Sequence, residues 1–409
     1  MTVTETDAAV LGGGLAGSLI AKSLAEKGWR TLLVDRNRFP RHKVCGEFLS
    51  PEVRQMLDAA GLTDRVSALR PAAVERVRLI SAEGGRVDIP LPGIAMGLSR
   101  FRLDEALHEA AAEAGARVRT SSAVLSVERL SDESCEVRVR RGSGIEIIRA
   151  RTVIAAWGAN GQAAVTGFSG PATPGNPANP APSALVDRGR STLYPWSRSA
   201  PDYMGVKSHY TGIEMEPVVE LYLFPGGYLG LCPVEDGLVN ASALLSRDAF
   251  RGAGKSVSAL LEAAAQRCPP LHSKLKRGLP VPGAQAAVAP VKLNRRPNPW
   301  DMVPRLGDSS VMIPPLCGDG MSMALRSARL CAPLADGYLR GELSLAGWEE
   351  QYVRAVKRTF GGPLRWGRLL QSSLGSPAVV RMLLRLAQLS PGVASGLLKA
   401  TRLKPEGEN

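Results

Sequence analysis

The apolar positions of the chain change period several times, and each change marks an element. Ala8, Ala9, Val10 and Leu11 form an unbroken apolar run, the pattern of a strand buried on both faces. Over residues 15–27 apolar positions recur at helical spacing, which predicts a helix packed back on that strand. Residues 31–34 read as a second buried strand. Ser50-Pro51-Glu52 has the form of a cap with proline at the first helical position, before a helix carrying Val53, Met56 and Leu57 on one face. Residues 72–97 alternate apolar and polar positions about a Glu83-Gly84-Gly85 turn, which predicts a β-hairpin. Ser99 opens a helix reaching Gly115, with Leu103, Leu107, Ala110 and Ala111 on its buried side. Short strands are predicted around 118, 124–127, 137–139 and 153–156.

Beyond residue 160 the pattern shifts. Residues 169–182 hold five prolines among Gly, Ala and Asn, which predicts a long mobile loop or lid. Four strands follow over 203–210, 218–224, 228–232 and 238–245, as expected of an antiparallel sheet with one face free to cover a ligand. A helix is predicted over 256–266, and strand character resumes near 288–293. From Ser344 the chain reads as helices: one over 348–360, another starting at Pro363, and a third with Ser376 as N-cap and Pro377 at its first position. The third places Val379, Val380, Leu383 and Leu384 on one face and Arg381 and Arg385 on another. Such a face suits docking on the protein's own core, and a basic amphipathic tail also suits peripheral contact with a membrane surface.

Two glycine-rich turns carry the chemistry. The first, Gly12-Gly13-Gly14-Leu15-Ala16-Gly17, lies between the first strand and its helix. Glycines at 12, 14 and 17 allow a tight turn, close approach of backbone to a pyrophosphate, and close helix–strand packing. Asp35, ending the second strand, falls where a ribose hydroxyl is expected. The second turn runs from Gly307-Asp308 through Pro314-Pro315-Leu316-Cys317-Gly318-Asp319-Gly320 to another helix. There Asp308 can accept hydrogen bonds from a polyol, and the N–H groups near Gly318, Gly320 and Met321 face whatever lies before the helix.

Composition narrows the classes. The chain has 409 residues, 44% hydrophobic and 22% charged, enough for two or three domains with sizeable cores. No run approaches the roughly 20 apolar residues of a membrane span, and the polar N-terminus shows no signal peptide, so a cytoplasmic protein is expected. Six scattered cysteines and four histidines show no metal-ligand spacing, so no metal is expected. The net charge of +13 lacks the basic, aromatic-interleaved runs of nucleic-acid binders.

Together, the glycines at 12–17, Arg100-x-x-Leu103-Asp104, Gly307-Asp308 and Gly318-Asp319-Gly320 resemble the FAD-dependent monooxygenase superfamily. This is the p-hydroxybenzoate hydroxylase-like group that includes flavin halogenases and geranylgeranyl reductases. Lys43-Val44-Cys45-Gly46-Glu47 and the segment from Pro314 to Met321 look most like its geranylgeranyl reductase-like branch. The resemblance implies an α/β fold: a discontinuous Rossmann-like FAD-binding domain (1–71, 98–165, 285–345), an inserted antiparallel β-sheet substrate domain (72–97, 166–284) and a helical C-terminal extension (346–409). It implies FAD contacts from Gly12, Gly14, Leu15, Ala16, Gly17, Asp35, Arg36, Arg100, Val124, Gly307, Asp308, Pro315, Gly318, Gly320 and Met321. Asp35 would hold the adenosine ribose, Arg100 the pyrophosphate region and Asp308 the ribitol.

Three departures refine the expectation. Ala159-Asn160-Gly161 stands where hydroxylases carry Asp-Gly, which sets direct NADPH or NADH use against an external flavin reductase or carrier protein. The halogenase Trp-x-Trp-x-Ile-Pro signature is absent, and Leu221 to Tyr228 only partly matches the reductases' aromatic Phe-Pro segment. The expected reaction is hydroxylation of a bulky aromatic or apolar secondary metabolite through a flavin C4a-hydroperoxide. The alternative is reduction of isoprenoid or polyketide double bonds, and a third reading is a non-catalytic flavin-binding subunit. Cys45, Lys207, Tyr222 and Tyr228 are the candidate catalytic residues, with Tyr210 beside them; each also has a plain packing role.

Overall fold

An unbroken apolar run belongs where a strand is covered on both faces, and the first strand takes that place. The computed structural model describes residues 3–131, 133–161, 202–373, 377–389 and 391–404. β1 (Val3–Leu11), α1 (Leu15–Glu26) and β2 (Thr31–Val34) open the fold. After a loop come β3 (Phe48–Leu49), α2 (Val53–Asp58), α3 (Thr63–Ser67), the hairpin β4 (Ala72–Ser81) and β5 (Arg86–Gly97), and α4 (Arg100–Glu113). β6 (Arg117–Arg119), β7 (Ser122–Ser131), β8 (Ser134–Arg141) and β9 (Gly144–Ala155) follow. Then come β10 (Tyr203–Thr211), β11 (Val218–Phe224), β12 (Gly227–Pro233), β13 (Val239–Ser246), α5 (Val257–Gln266), α6 (Pro269–Leu275), β14 (Leu279–Pro280) and β15 (Ala286–Val291). Four helices end the described chain: α7 (Gly320–Leu339), α8 (Leu345–Ser373), α9 (Pro377–Leu389) and α10 (Pro391–Thr401).

The first sheet has the order β6-β2-β1-β9-β8-β7. β6, β2, β1 and β9 run parallel, and β9, β8 and β7 form an antiparallel meander. Ala8 pairs with Thr31 on one side and Thr152 on the other, which places β1 centrally. One face is covered by α1, α4, α7 and the first half of α8, through Leu19, Leu107, Leu325, Trp348, Tyr352 and Phe360. Both faces of β1 are therefore dry, because Ala9 and Leu11 pack on the other side against Val127 and Val137.

The second sheet has the order β14-β10-β13-β12-β11-β4-β5-β3, with β15 also on β10. It is antiparallel except where β11 runs parallel to β4, so the hairpin at 72–97 joins the later strands directly. Alternation gives it two faces. Val206, Tyr210, Tyr222, Phe224 and Leu229 pack under α5 and α6. Val87, Ile89, Leu223, Tyr228 and Leu244 form the opposite apolar wall, against Leu316 and Leu384.

Two local expectations are corrected. Ser50 does not cap α2: its hydroxyl bonds Ser322 Oγ at 2.5 Å, and the helix starts at Val53 with Glu52 before it. Pro363 does not begin a helix, because α8 runs through it from Leu345 to Ser373. A proline strains a helix partly against the Cβ of the preceding residue, and that residue is Gly362. α9 begins at Pro377, while its expected cap Ser376 and the proline-rich stretch 169–182 lie outside the described residues.

Trp348 pins α8: it is fully buried, with ring centroids 5.4 Å from Trp300 and 5.1 Å from Tyr338. Trp348→Ala should lower stability by about 3–5 kcal/mol in urea unfolding, as expected of a large buried aromatic cut to a methyl.

Candidate active site

The candidate site lies at the carboxyl ends of β1 and β9, where open α/β sheets bind ligands. Gly12 takes a left-handed conformation (φ +110°), and a Cβ there would sit 2.5 Å from Ala156 O at the end of β9. A Cβ on Gly17 would collide with Gly12 O, so α1 starts hard against the turn. Leu15 and Ala16 are buried in its first turn, and Gly14 caps it without a side chain. Asp35 holds the turn in shape: Oδ2 accepts from Gly13 N at 2.8 Å, and Oδ1 accepts from Asn37 N and Nδ2 at 2.7 and 2.9 Å. One acceptor position on Oδ2 is left for a guest. His108 Nε2 donates to Gly13 O at 2.6 Å, since a carbonyl can only accept.

The second turn meets the first. Leu306 N donates to Ala155 O at 2.8 Å, and a Cβ on Gly307 would lie 3.6 Å from Ala16. Asp308 is half-buried there, Pro315 is exposed, and Gly318 (φ 74°) closes the turn before α7. Gly320 and the buried Met321 begin α7. Asp319 is fully buried, and its Oδ1 accepts from Arg402 Nη1 at 2.6 Å. Burial pushes the Asp319 carboxyl up to about 7, against the opposing pull of Arg402. α1 has no acidic residue in its first turn and its N-terminus stays open to an anion, whereas α7 is preceded by Asp319, which Arg402 engages.

Arg100, at the start of α4, is buried in a bidentate pair with Asp104 at 2.7 and 2.8 Å. Burial opposes its charge, but the Asp104 carboxylate outweighs that and raises its pKa. Its guanidinium reaches within 3.7 Å of where a Cβ on Gly14 would stand, a cation at the mouth of α1. Arg36 is exposed beyond Asp35, and Val124 is half-buried on β7, two residues past the bond from Ser122 N to Asp35 O.

The loop between β2 and β3 ties this region to the second sheet. Glu47, fully buried, accepts from Lys207 Nζ at 2.8 Å, His209 Nε2 at 2.6 Å and Arg100 N at 3.0 Å. Burial raises its pKa, but the His209 bond and the Lys207 charge outweigh it and hold the carboxyl ionised. An ionised Glu47 can only accept, so His209 Nε2 carries the hydrogen. Asn240 Nδ2 donates to Cys45 O at 2.9 Å, fixing the same loop from β13. A Cβ on Gly205 would stand 2.9 Å from Val44, so β10 has glycine where the loop descends on it.

The candidate catalytic residues therefore separate. Cys45 and Lys207 share this cluster, with Lys207 fully buried and engaged by Glu47. Tyr228 lies on the same sheet face, beside Leu316. Tyr222 points the other way, under α5 and α6, with its hydroxyl donating to Glu220 at 2.7 Å, and Tyr210 shares that reverse face. Burial and then the Glu220 charge raise the Tyr222 phenol well beyond its ordinary range, so the tyrosine stays neutral there. His108, His209 and Asn240 are residues that sequence reasoning did not single out, and Lys43 and Glu47 entered it only as part of the motif around Cys45, with no role given to either.

An FAD-binding domain family matches residues 5–175. Over 158 residues the chain is 37% identical to geranylgeranyl diphosphate reductase of Rhodobacter capsulatus, spanning 38% of each protein. Over 367 residues it is 25% identical to digeranylgeranylglycerophospholipid reductase of Thermoplasma volcanium, covering 87% of this chain and 84% of that one. The fold superposes on a geranylgeranyl bacteriochlorophyll reductase-like protein from Thermoplasma acidophilum with a TM-score of 0.71 at 20% identity, covering 99% and 98% of the two chains. A glycine turn at the strand ends, a second turn facing it and the family match over residues 5–175 define a flavin-binding protein. Residues 5–175 carry an FAD-binding domain, FAD is the cofactor, and the whole chain shares its fold with the reductase-like protein.

Two measurements probe the cluster. Glu47→Gln should destabilise the fold by about 3–5 kcal/mol in denaturant titration, because it strands Lys207 in a dry site. Glu47→Leu with Lys207→Met should recover part of that loss. His42 stacks on Phe101 and meets His209 edge-on. Burial, helped by the Lys207 and His209 charges, lowers its pKa from 6.5 to about 4. Between those values the unfolded chain binds the proton and the folded one does not, so stability falls as pH drops through that window. His42→Asn should flatten that fall, read as urea midpoints at pH 7, 5.5 and 4.5.

Proposed function

We propose that this flavoenzyme reduces carbon–carbon double bonds of a long apolar substrate of the isoprenoid class, with Cys45 as the proton donor. The observation that carries the reading is the placement of the Cys45 thiol. It is fixed by Asn240 through its carbonyl and by Glu47 N, which donates to Sγ at 3.4 Å, and it lies beside Arg100 at the mouth of the glycine turn. Burial raises the thiol pKa, so Cys45 holds its proton at neutral pH. The names of the two reductase relatives support the substrate class.

FAD, once bound and reduced, supplies the electron pair for the double bond. The open α1 terminus and Arg100 suit its pyrophosphate, Asp35 its ribose, Asp308 its ribitol, and the α7 N–H groups the edge of its ring system. Val87, Ile89, Leu223 and Leu244 give the substrate a dry wall. Lys207 and His209 act as positioning residues, holding Glu47 and through it the Cys45 loop. The reductant is NADPH, NADH or a separate flavin reductase. At the hydroxylases' Asp-Gly position, Asn160 Nδ2 instead donates to Pro290 O at 3.2 Å.

Hydroxylation of an aromatic or apolar metabolite is the second reading. It needs little acid–base chemistry from the protein, and with Lys207 engaged and Tyr222 turned away the site offers little. Oxygen separates the two. Photoreduced enzyme given geranylgeranyl diphosphate without oxygen should yield product heavier by two hydrogens per bond reduced, and Cys45→Ser should slow this by about 10²-fold at unchanged flavin content. Product that forms only with oxygen, and gains an oxygen atom, would establish hydroxylation instead.

A further inference from the structure

The C-terminal helices face two ways. Inward, Tyr352, Val356, Phe360 and Leu364 of α8 enter the core of the first sheet, and Leu384 of α9 closes the apolar wall of the second. The last turn is anchored as well: Leu403 is buried in the same core as α8, and Arg402 pairs with Asp319. The helices are thus already docked on the protein, and their outward faces need no further cover from the chain.

Of the chain's net +13, residues 345–404 contribute +8, from ten Lys and Arg against Glu349 and Glu350. Arg402 is turned inward on Asp319 and Arg354 pairs with Glu350, so neither adds free charge to the outward face. No acidic residue occurs from 351 to 405. Lys357, Arg358 and Arg365 are exposed on α8, and Arg385 on α9, where the neighbouring Arg381 is 3.8 Å from Glu83 of the β4–β5 turn. Among these cations stand large apolar side chains in water: Trp366 is 42% exposed, Leu369 55% and Met382 53%. Arg358, Arg365 and Leu369 fall on one helical stripe with Trp366 beside them. Among the described residues no helix is long and apolar enough to cross a membrane, so contact would be along a surface.

We propose that the outward face of α8 and α9 docks on an anionic lipid bilayer, with Trp366, Leu369 and Met382 entering the interface and the surrounding cations meeting the headgroups. Apolar side chains interleaved with cations on a helix face suit a bilayer, where one end of the contact is greasy and the other charged. A nucleic acid would meet the cations but offers no hydrocarbon layer for Trp366, Leu369 and Met382 to enter. The position of α9 adds a reason, since it lies over the wall assigned to the substrate. Docking does not depend on which bond the enzyme reduces.

The FAD-loaded full chain is sedimented with phosphatidylcholine vesicles, and with vesicles containing about 30% phosphatidylglycerol, at low and at 1 M salt. Binding should be at least about tenfold tighter to the anionic vesicles and should weaken at 1 M salt, where the screening length falls to about 3 Å. Trp366→Ser with Leu369→Ser should weaken it by about tenfold at unchanged flavin content and thermal midpoint. Lys357→Gln with Arg365→Gln and Arg385→Gln should abolish the preference for anionic lipid. Equal binding to both vesicles, or no binding, overturns the proposal. Unchanged binding of the Trp366/Leu369 variant overturns it too, and release of that variant by polyuridylic acid reassigns the face to nucleic acid.

Discussion

A carboxylate buried between two sheets holds this molecule in register. Glu47 comes from a loop of the nucleotide-binding half and finds its partners, Lys207 and His209, on the second sheet. A buried ion pair is a poor source of net stability, because each charge gives up its water. Its value here is geometric. With three donors converging on it, Glu47 is held in a left-handed backbone conformation (φ 56°) that a non-glycine residue adopts only when its surroundings impose it. The same loop is fixed again at Cys45, whose carbonyl accepts from Asn240, 195 residues further along the chain.

A second constraint closes the other end. The apolar wall of the second sheet would be an exposed greasy patch if left bare. Leu384 of α9 covers part of it, and the Arg402–Asp319 pair ties the end of that strap to the turn before α7. The turn that leads into α7 is therefore completed by the far C-terminus. Phe48 joins the two constraints: it follows Glu47 directly, its ring lies beneath the Arg402 guanidinium at 5.1 Å, and a Cβ on Gly318 would meet it at 3.2 Å.

Local pattern carried much of the fold into view. The strand–glycine–helix unit, the hairpin at 72–97 and the four strands from 203 to 246 all follow from periodicity, because each element's own residues decide it. Errors came where a distant partner decides. Ser50 reads as a cap until Ser322, 272 residues away, takes its hydroxyl. Pro363 reads as a helix start until the glycine before it relieves the clash. For the site, the glycines and Asp35 were legible because a turn of this kind needs those residue types. Glu47, His209 and Asn240 were not, since a Glu, a His and an Asn become a cluster only after two sheets meet.

The tyrosines show why residue type alone could not choose the reactive groups. In a sheet with one wet face, polarity alternates and tells which side chains look toward the site. Here both faces are dry: Val219, Leu221 and Leu223 lie on one, Tyr222 and Phe224 on the other. Alternation still separates the two sets, but nothing within β11 says which set looks at the first sheet. That choice belongs to α5 and α6, whose Leu260, Leu261, Leu271 and Leu275 cover the even-numbered face of β11 and with it Tyr222. Tyr228 and Lys207 lie on the other side because their own strands carry them in the opposite phase. The function of a side chain on such a sheet is thus set by helices that never approach the site.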